Sequence, residues 1–468
     1  MGLIAILAIP LLAALLCRVR PLRRVAWGIS VASTWMVFAL AVYVSAQVIA
    51  GARIVAAPGW FEADGLGALM LVLISFVLAL ACVFAGGYMR YGEHQQNRLW
   101  WFYFNYNLLS FALLAVPSLA EPNLTWVAVE LVTLFSVLLV GFDNTSSALE
   151  AAWKFAVLTI MGAPIALFGF FTLFWACRAA TGGAWETWDA LRTAASSMDP
   201  TLLKLSFLLV FVGFGAKSGL APMHTWLPDA HSQAPTPVCA VLSGVKTTVP
   251  LYVILRFLSI VLAAPAAHLG NWMIVLGLIS LGIAAFLLLQ VRDYKRMFAY
   301  STVEHMGIIL TAAGLASQPS DFGAVSQMLN HAITKSLCFY VAGVVLLVLS
   351  TREIQSVHGL FRISPFAGSM LLLCSLAIAG APPFPIFLSE FSILSAGMRA
   401  GRYAAVSMLA ILILVAFVAI MLHVNRMVFG KPTMQYSRKA LPASCRIAVL
   451  AAAAPVVLLG VYIPAAGA

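Results

Sequence analysis

The sequence predicts an all-α polytopic membrane protein with about fourteen transmembrane helices. Three observations lead there. Hydrophobic residues make up 63% of the 468-residue chain and charged residues only 9%, against roughly 25% charged in a soluble domain. The apolar residues come in runs of about 20, the length a helix needs to cross the hydrocarbon core. All but three of the Lys and Arg residues sit at the ends of those runs or between them, so the formal net charge of +11 describes membrane topology and not a nucleic-acid surface.

Taken in order, the runs lie at 2–17, 25–50, 66–89, 100–118, 123–142, 155–177, 201–235, 237–256, 270–290, 298–316, 324–349, 365–398, 403–425 and 447–464. The first lacks a cleavable-signal pattern and is read as the first span. The longest connector, 178–200, is a short Trp-containing segment, so a nucleotide site or soluble catalytic domain has no place to sit. The seven cysteines are isolated, with no CxxC and no Cys/His cluster. No metal centre and no disulfide framework is expected.

Alternate loops carry Arg18, Arg20, Arg23, Arg24; Arg90, Arg98; Lys154; Arg292, Lys295, Arg296; Arg352, Arg362; and Arg426, Lys431, Arg438, Lys439, Arg446. The opposite loops carry the smaller set Arg53, Arg178, Arg192, Lys204, Arg256, Arg399 and Arg402. The positive-inside rule puts the first set in the cytoplasm and both termini outside.

Two spans are interrupted. Span 7 reads LSFLLVFVGFGAKSGLAPMHTWL, with Lys217 inside and Gly219 and Pro222 breaking the helix. A cation at membrane depth costs roughly 2.5 kcal/mol or more and marks an ion pathway or a functional ion pair. The carbonyls freed by a break are tolerated only inside protein or against water. Span 12 reads LAIAGAPPFPIFLSEFSIL, with Pro382, Pro383 and Pro385 at the break and Glu390 beyond it. Spans five apart run in opposite directions, and paired broken helices point to inverted repeats with sites near the midplane. The expected segments are an N-terminal three-helix part at 1–98, repeats at 99–262 (spans 4–8) and 263–428 (spans 9–13), and a last helix in 429–468.

The buried ionisable residues are spread along these spans. Span 5 holds Glu130, span 7 Lys217, span 8 Lys246, span 10 the pair Glu304 and His305, and span 12 Glu390. Span 11 holds His331 and Lys335, which at i,i+4 share one helix face. His224, Asp229 and His231 cluster where span 7 turns into span 8. Burial favours the neutral form of each group and an opposite charge favours the ionised one, while histidine titrates near neutral pH. Bridged by water, such groups can load, pass and release protons. Plainer roles exist: Glu130 and Lys217 as a static pair, Lys335 snorkelling, the histidines as helix–helix hydrogen bonds, Glu304 facing headgroups, and His224 and Asp229 satisfying backbone at the break. The number of charged spans and their coincidence with two broken helices favour the relay.

Several segments resemble the antiporter-like subunits of respiratory complex I and its hydrogenase relatives. GAKSGLAPMHTWLPDAHSQAPTPVCAVLSG (215–244) is similar to the family signature around its broken seventh helix. The stretches KRMFAYSTVEHMGI, MLNHAITKSLCFYVAG and APPFPIFLSEF look most like the F subunits of hydrogenase-4-type and formate-hydrogenlyase-like complexes. The resemblance covers nearly the whole chain. It implies fourteen helices with two inverted five-helix repeats, and it implies roles. Glu130 matches the glutamate that modulates the span-7 lysine, here Lys217. Lys335 with His331 matches the central relay, His305 the histidine of SxxHMG, and Glu390 the terminal residue. One departure concerns span 8. Many relatives carry a lysine four residues before a tyrosine; counted back from Tyr252 that position is Thr248, and the lysine here is Lys246, rotated by about 200°. Either the helix is locally adjusted, or Lys246 faces elsewhere and water with Thr247 or Thr248 serves. The chain would also lack the long lateral helix of one complex I subunit.

The expected function is a proton-translocating membrane subunit of a redox-driven complex in a bacterial inner membrane. No cofactor is expected in this chain. Its expected partners are other membrane subunits, a peripheral hydrogenase-like or quinone-reductase-like arm and the lipid bilayer, with no nucleic acid. The alternatives are a subunit of a cation/proton antiporter or of an inorganic-carbon uptake transporter, and a structural scaffold whose ion pairs move nothing. Fold alone carries function only weakly.

Overall fold

A computed structural model describes residues 2–91, 94, 96–183, 187–264, 269–315, 323–432 and 440–461; Arg438 and Lys439 lie outside them. The described chain is helical apart from one antiparallel hairpin, β1 (Ile54–Ala56) with β2 (Phe61–Ala63). That hairpin, two strands of three residues each, sits in a connector and does not change the expected all-α class. Ala57 and Gly59 take positive φ between its strands, the conformation that reverses a tight strand pair.

The helices are α1 (Gly2–Arg18), α2 (Ala26–Ile49), α3 (Gly65–Tyr91), α4 (Leu99–Ser118), α5 (Pro122–Val140), α6 (Ser146–Thr181), α7 (Trp188–Ala194), α8 (Pro200–Ser218), α9 (Trp226–Gln233) and α10 (Thr236–Val241). There follow α11 (Thr248–Leu262), α12 (Gly270–Gln290), α13 (Tyr294–Leu315), α14 (Gly323–Leu349), α15 (Leu360–Ile363), α16 (Pro365–Ile378), α17 (Pro385–Arg399), α18 (Tyr403–Val428) and α19 (Ala443–Val461). Among the described residues, 11 helices are long and apolar enough to cross a membrane, and α1 and α16 are shorter apolar helices. The chain is thus a multi-pass helical membrane protein.

One compact unit comprises residues 1–82, 95–218 and 245–269. In it α1 packs on α2 and α4, α5 lies between α4 and α6, and α8 lies between α6 and α11. Local signals set the helix ends. Glu121 caps α5 by accepting from the amides of Asn123 and Leu124, with Pro122 opening the helix. Thr145 caps α6, which closes on Gly182 at φ 67, the left-handed stop that glycine takes without strain. The α6–α8 contact needs the absence of side chains. A Cβ on Gly213 would lie 2.4 Å from the Gly162 carbonyl oxygen, so the two backbones touch there, four residues before Lys217. At one end of this unit the Arg256 guanidinium grips Asp64 with two contacts of 3.0 Å and donates to the Tyr252 hydroxyl at 2.7 Å. Burial raises the Asp64 carboxyl, but Arg256 and the Gly67 amide outweigh it, and Asp64 is held below its ordinary value.

The second unit comprises residues 83–94, 219–244 and 270–468. Here α14 is central, packed by α10, α13, α16, α17 and α19. α12 and α13 approach through Gly277 and Gly307; a Cβ on Gly307 would meet the Gly277 carbonyl oxygen at 2.6 Å. α13 is buried along nearly all of its length.

Both expected interruptions are present. α8 stops at Ser218 and α9 starts at Trp226, with Gly219 at φ 78 between them. α16 stops at Ile378 and α17 starts at Pro385, with Gly380 at φ 80 between them. The positive φ at each glycine turns the chain out of the helix where a Cβ would be strained.

Candidate functional site

The first unit holds a cluster built on α8. The Lys217 ammonium donates to Glu130 Oε2 at 3.0 Å and to Thr133 Oγ1 at 2.9 Å, both on α5. Glu130 and Thr133 are three residues apart, so they share one helix face. Lys217 is fully buried, whereas the Glu130 side chain keeps 22% of its surface. At the end of α8 the backbone carbonyls lose their helical partners. One of them, Lys217 O, accepts from Lys246 Nζ at 3.0 Å. That ammonium also stands 4.5 Å above the Phe155 ring, within range of a cation–π attraction.

Lys246 arrives there through an irregular turn. Residues Leu242–Lys246 wind as a π-helix between α10 and α11. Such a turn alters the rotation of every residue after it, and isolated π turns recur at functional sites. Of the two alternatives the sequence leaves open, the observed one is local adjustment, with Lys246 turned toward the Lys217 carbonyl. Thr247 and Thr248 are buried as well.

The second unit holds a longer network. Lys335 Nζ on α14 donates to the Phe298 carbonyl and to Ser301 Oγ on α13, each at 2.8 Å. One turn after Ser301, Glu304 is buried, and its Oε2 has no hydrogen-bond partner among the described residues. One residue further, His305 Nε2 meets the carbonyl of Ile378, the last residue of α16, at 3.0 Å. His305 Nδ1 lies 3.0 Å from Gln327 Nε2 on α14. The amide oxygen of Gln327 accepts from the Ser389 hydroxyl on α17, the residue before Glu390. The His331 ring lies 5.1 Å from that of His305, and its Nε2 reaches the Ser243 carbonyl of the π turn at 3.3 Å. Glu390 is 5% exposed and lies against the second break; a Cβ on Gly380 would fall 2.4 Å from its Oε2.

A pattern joins these contacts. At three places where the helix is irregular, a carbonyl meets an ionisable side chain: Lys217 O with Lys246, Ile378 O with His305, and Ser243 O with His331. Irregular backbone leaves carbonyls that must find partners away from water, and here titratable groups supply them.

The three polar residues expected as a cluster after the first break have separate partners. Asp229 Oδ1 pairs with Arg296 at 2.5 Å, both partly exposed. His231 Nδ1 turns back to the Leu227 carbonyl at 2.7 Å and its ring packs on Phe339. His224 is buried in the turn beyond Gly219, and its carbonyl accepts from the Leu227 amide at 3.0 Å. Pro222 lies in that same turn; Pro383 lies in the second break, and Pro385 opens α17.

Sequence reasoning missed Thr133, Ser301, Gln327 and Ser389. Spacing could have found them: Thr133 is three after Glu130, Ser301 three before Glu304, Gln327 four before His331, and Ser389 adjoins Glu390.

Comparison with known proteins gives the family and the fold. A family profile described as "NADH:quinone oxidoreductase/Mrp antiporter, TM" matches residues 123–417. The hydrogenase-4 component F homolog of Methylacidiphilum infernorum (isolate V4) is 36% identical over 383 residues, covering 80% of this chain and 80% of that protein. Among solved structures, a chain of the membrane-bound sulfane sulfur reductase, an archaeal respiratory membrane complex, superposes with TM-score 0.87 at 24% identity, covering 98% of this chain and 94% of that one. A chain of the Mrp complex from Dietzia sp. DQ12-45-1b superposes with TM-score 0.86 at 19% identity over the same shares, 98% and 94%. At those identities the two structures speak for the fold alone.

Proposed function

The chain belongs to the NADH:quinone oxidoreductase/Mrp antiporter transmembrane family, and from that premise we propose that it relays protons as the membrane subunit of a redox-driven complex of the hydrogenase-4 or NADH-quinone oxidoreductase type. The observation that carries this reading is the Glu130–Lys217–Lys246 cluster at the first broken helix. A buried lysine held between a carboxylate and a second lysine changes its affinity for a proton when either neighbour changes charge.

In this reading protons enter near α9 and α10, where His224, Asp229 and His231 lie. They load Lys217 and Lys246, pass His331, Lys335, Glu304 and His305, and leave at Glu390. Glu130 Oε1, Glu304 Oε2 and His331 Nδ1 lack hydrogen-bond partners among the described residues. Buried polar atoms are ordinarily satisfied, so these atoms are where bridging water would attach.

The same reading takes α8–α9 as one interrupted span and α16–α17 as another. That gives fourteen crossings, with inverted repeats at 99–262 and 263–428 between a 1–98 segment and a last helix in 429–468. Both termini face outward from a bacterial inner membrane. The energy comes from electron transfer in partner subunits, which would be other membrane subunits and a peripheral hydrogenase-like or quinone-reductase-like arm. Lysine and histidine favour H⁺ over Na⁺, which prefers clustered oxygen ligands.

A second reading, a subunit of a cation/proton antiporter, draws on the family description, which names the Mrp antiporter beside the quinone oxidoreductase. There the same side chains would conduct protons down a gradient. Affinity purification from mild detergent separates the two: redox subunits that co-purify support the first, and antiporter subunits alone the second. Lys217→Ala in the assembled complex then tests the relay. Loss of proton translocation in reconstituted vesicles is expected; unchanged translocation would remove Lys217 from its central place.

A further inference from the structure

One side chain in the second unit links His305 to the second broken helix, and it is not ionisable. Gln327 is fully buried. Its amide nitrogen lies 3.0 Å from His305 Nδ1, and its amide oxygen accepts from Ser389 Oγ. The polarity of this chain follows from its far end. His305 Nε2 lies 3.0 Å from the Ile378 carbonyl, and a carbonyl can only accept. Nε2 therefore carries a hydrogen. With the Gln327 amide donating to Nδ1, the imidazole is neutral.

A second arrangement of the same atoms is equally complete. If Nδ1 takes a proton it becomes a donor, and Gln327 must present its oxygen. A half-turn of the amide does this and points its nitrogen at Ser389 Oγ. The serine hydroxyl then needs another acceptor, and two are in place: the Ile386 carbonyl at 3.0 Å and the Pro385 carbonyl at 3.2 Å. Asn330 Nδ2 already donates to Ser389 Oγ at 3.2 Å and to the Pro385 carbonyl at 2.9 Å. A hydroxyl oxygen has two lone pairs, so it accepts from Asn330 and Gln327 together. His305 Nδ1, the Gln327 amide oxygen and the Ser389 hydroxyl each keep a partner in both arrangements.

We propose that Gln327 is a two-position amide that keeps the His305 network closed with that histidine neutral or protonated, and that its half-turn passes the change to Ser389 and the first turn of α17. The inference rests on the proton-relay reading and deepens it with a positioning residue. The other titratable groups that face His305 are His331 and Lys335 from α14 and Glu304 on its own helix. α12 carries none, and Glu390 on α17 lies within reach of the Gln327 amide. The step balances as a proton transfer: an N–H bond forms at Nδ1 as the proton leaves one of these neighbouring groups through bridging water, and the Nε2–H bond to Ile378 stays. When the amide turns back, the Nδ1–H bond breaks and the proton passes through water to the next group.

The test uses the full chain with isotope-labelled histidine rings in nanodiscs. Infrared difference spectra against His305→Gln isolate the bands of this one imidazole. In the parent chain near neutral pH, a single neutral form bearing hydrogen on Nε2 is expected. Gln327→Glu supplies an acceptor next to Nδ1 and should raise the imidazolium-to-neutral ratio about tenfold at fixed pH, the order expected for an opposite charge at hydrogen-bond distance. Gln327→Met offers Nδ1 neither position and should lower that ratio by a similar factor. If one variant fails to assemble, the other decides, because each has its own sign. An unchanged ratio in an assembled variant, or the other neutral form in the parent chain, would overturn the proposal. The spectra do not depend on transport, so this result is separate from that of Lys217→Ala.

Discussion

The ammonium of Lys246 ends 3.0 Å from the main-chain carbonyl of Lys217. One lysine thus binds the backbone of another, whose own ammonium is held by Glu130. The contact gives a partner to a carbonyl at the free end of α8 and places a second lysine side chain beside the first.

Two variants test whether Lys246 or Thr248 is the span-8 group of the proposed relay. Lys246→Ala removes the donor and leaves a buried carbonyl without it, a loss of about 1.5–3 kcal/mol for a charged hydrogen bond. Proton translocation by the assembled complex should fall sharply while its redox turnover continues. Thr248→Val should leave translocation near the parental rate. Proteoliposomes with an entrapped pH-sensitive dye read both.

Glu130 and Lys217 form a pair, so their variants should not add. Glu130→Ala alone leaves a buried ammonium with Thr133 as its remaining partner, and breaking one side of a buried pair costs about 3–5 kcal/mol when both charges are fully desolvated. Glu130 retains some exposure, so the cost should fall below that range. The double variant with Lys217→Met should be no less stable than Glu130→Ala. Thermal unfolding in detergent measures the cycle, and additive losses would argue against the pairing.

Asp229 and Arg296 are partly exposed, and such a pair contributes about 0.2–1 kcal/mol. Asp229→Asn should therefore leave the melting temperature nearly unchanged. A fall in translocation rate in the same variant would come from proton uptake rather than from folding. Parallel melting and transport assays distinguish the two.

Asp64 supplies a pH dependence with a definite sign. Arg256 and the Gly67 amide hold its carboxyl below the ordinary value against the opposing effect of burial. A carboxyl lowered on folding contributes stability above its unfolded value, about 3.9, and loses it as pH falls through the folded value. The side chain is 46% exposed, so the contribution stays below about 1 kcal/mol. Asp64→Asn should melt at a slightly lower temperature than the parent at neutral pH, and the gap should close on acidification below about pH 4.

The broken helices were legible because their causes are local. Gly219 and Gly380 take positive φ and prolines follow each, and those residue types stop helices in any surroundings. The ionisable residues were legible because a charge inside an apolar run costs too much to be incidental. His224, Asp229 and His231 lie where span 7 turns into span 8, as their sequence positions require, but their partners, such as Arg296 for Asp229 and the Leu227 carbonyl for His231, were not legible. The β1–β2 hairpin lies in a connector whose residues carry no apolar period strong enough to announce it.

By itself the sequence determined a multi-pass helical protein, the positions of its two breaks and the ionisable residues buried along it, because composition, period and helix breakers act over a few residues. Tertiary structure decided which groups meet. Glu130 and Lys217 are 87 residues apart, and Ser389 and Gln327 are 62 apart. Whether they touch depends on the rotation and depth of each helix, which glycine contacts such as Gly162–Gly213 and Gly277–Gly307 set to within a side chain's width. The π turn at Leu242–Lys246 is the clearest case. A two-residue offset left the direction of Lys246 open in sequence, and the winding of that turn aims the side chain at the Lys217 carbonyl.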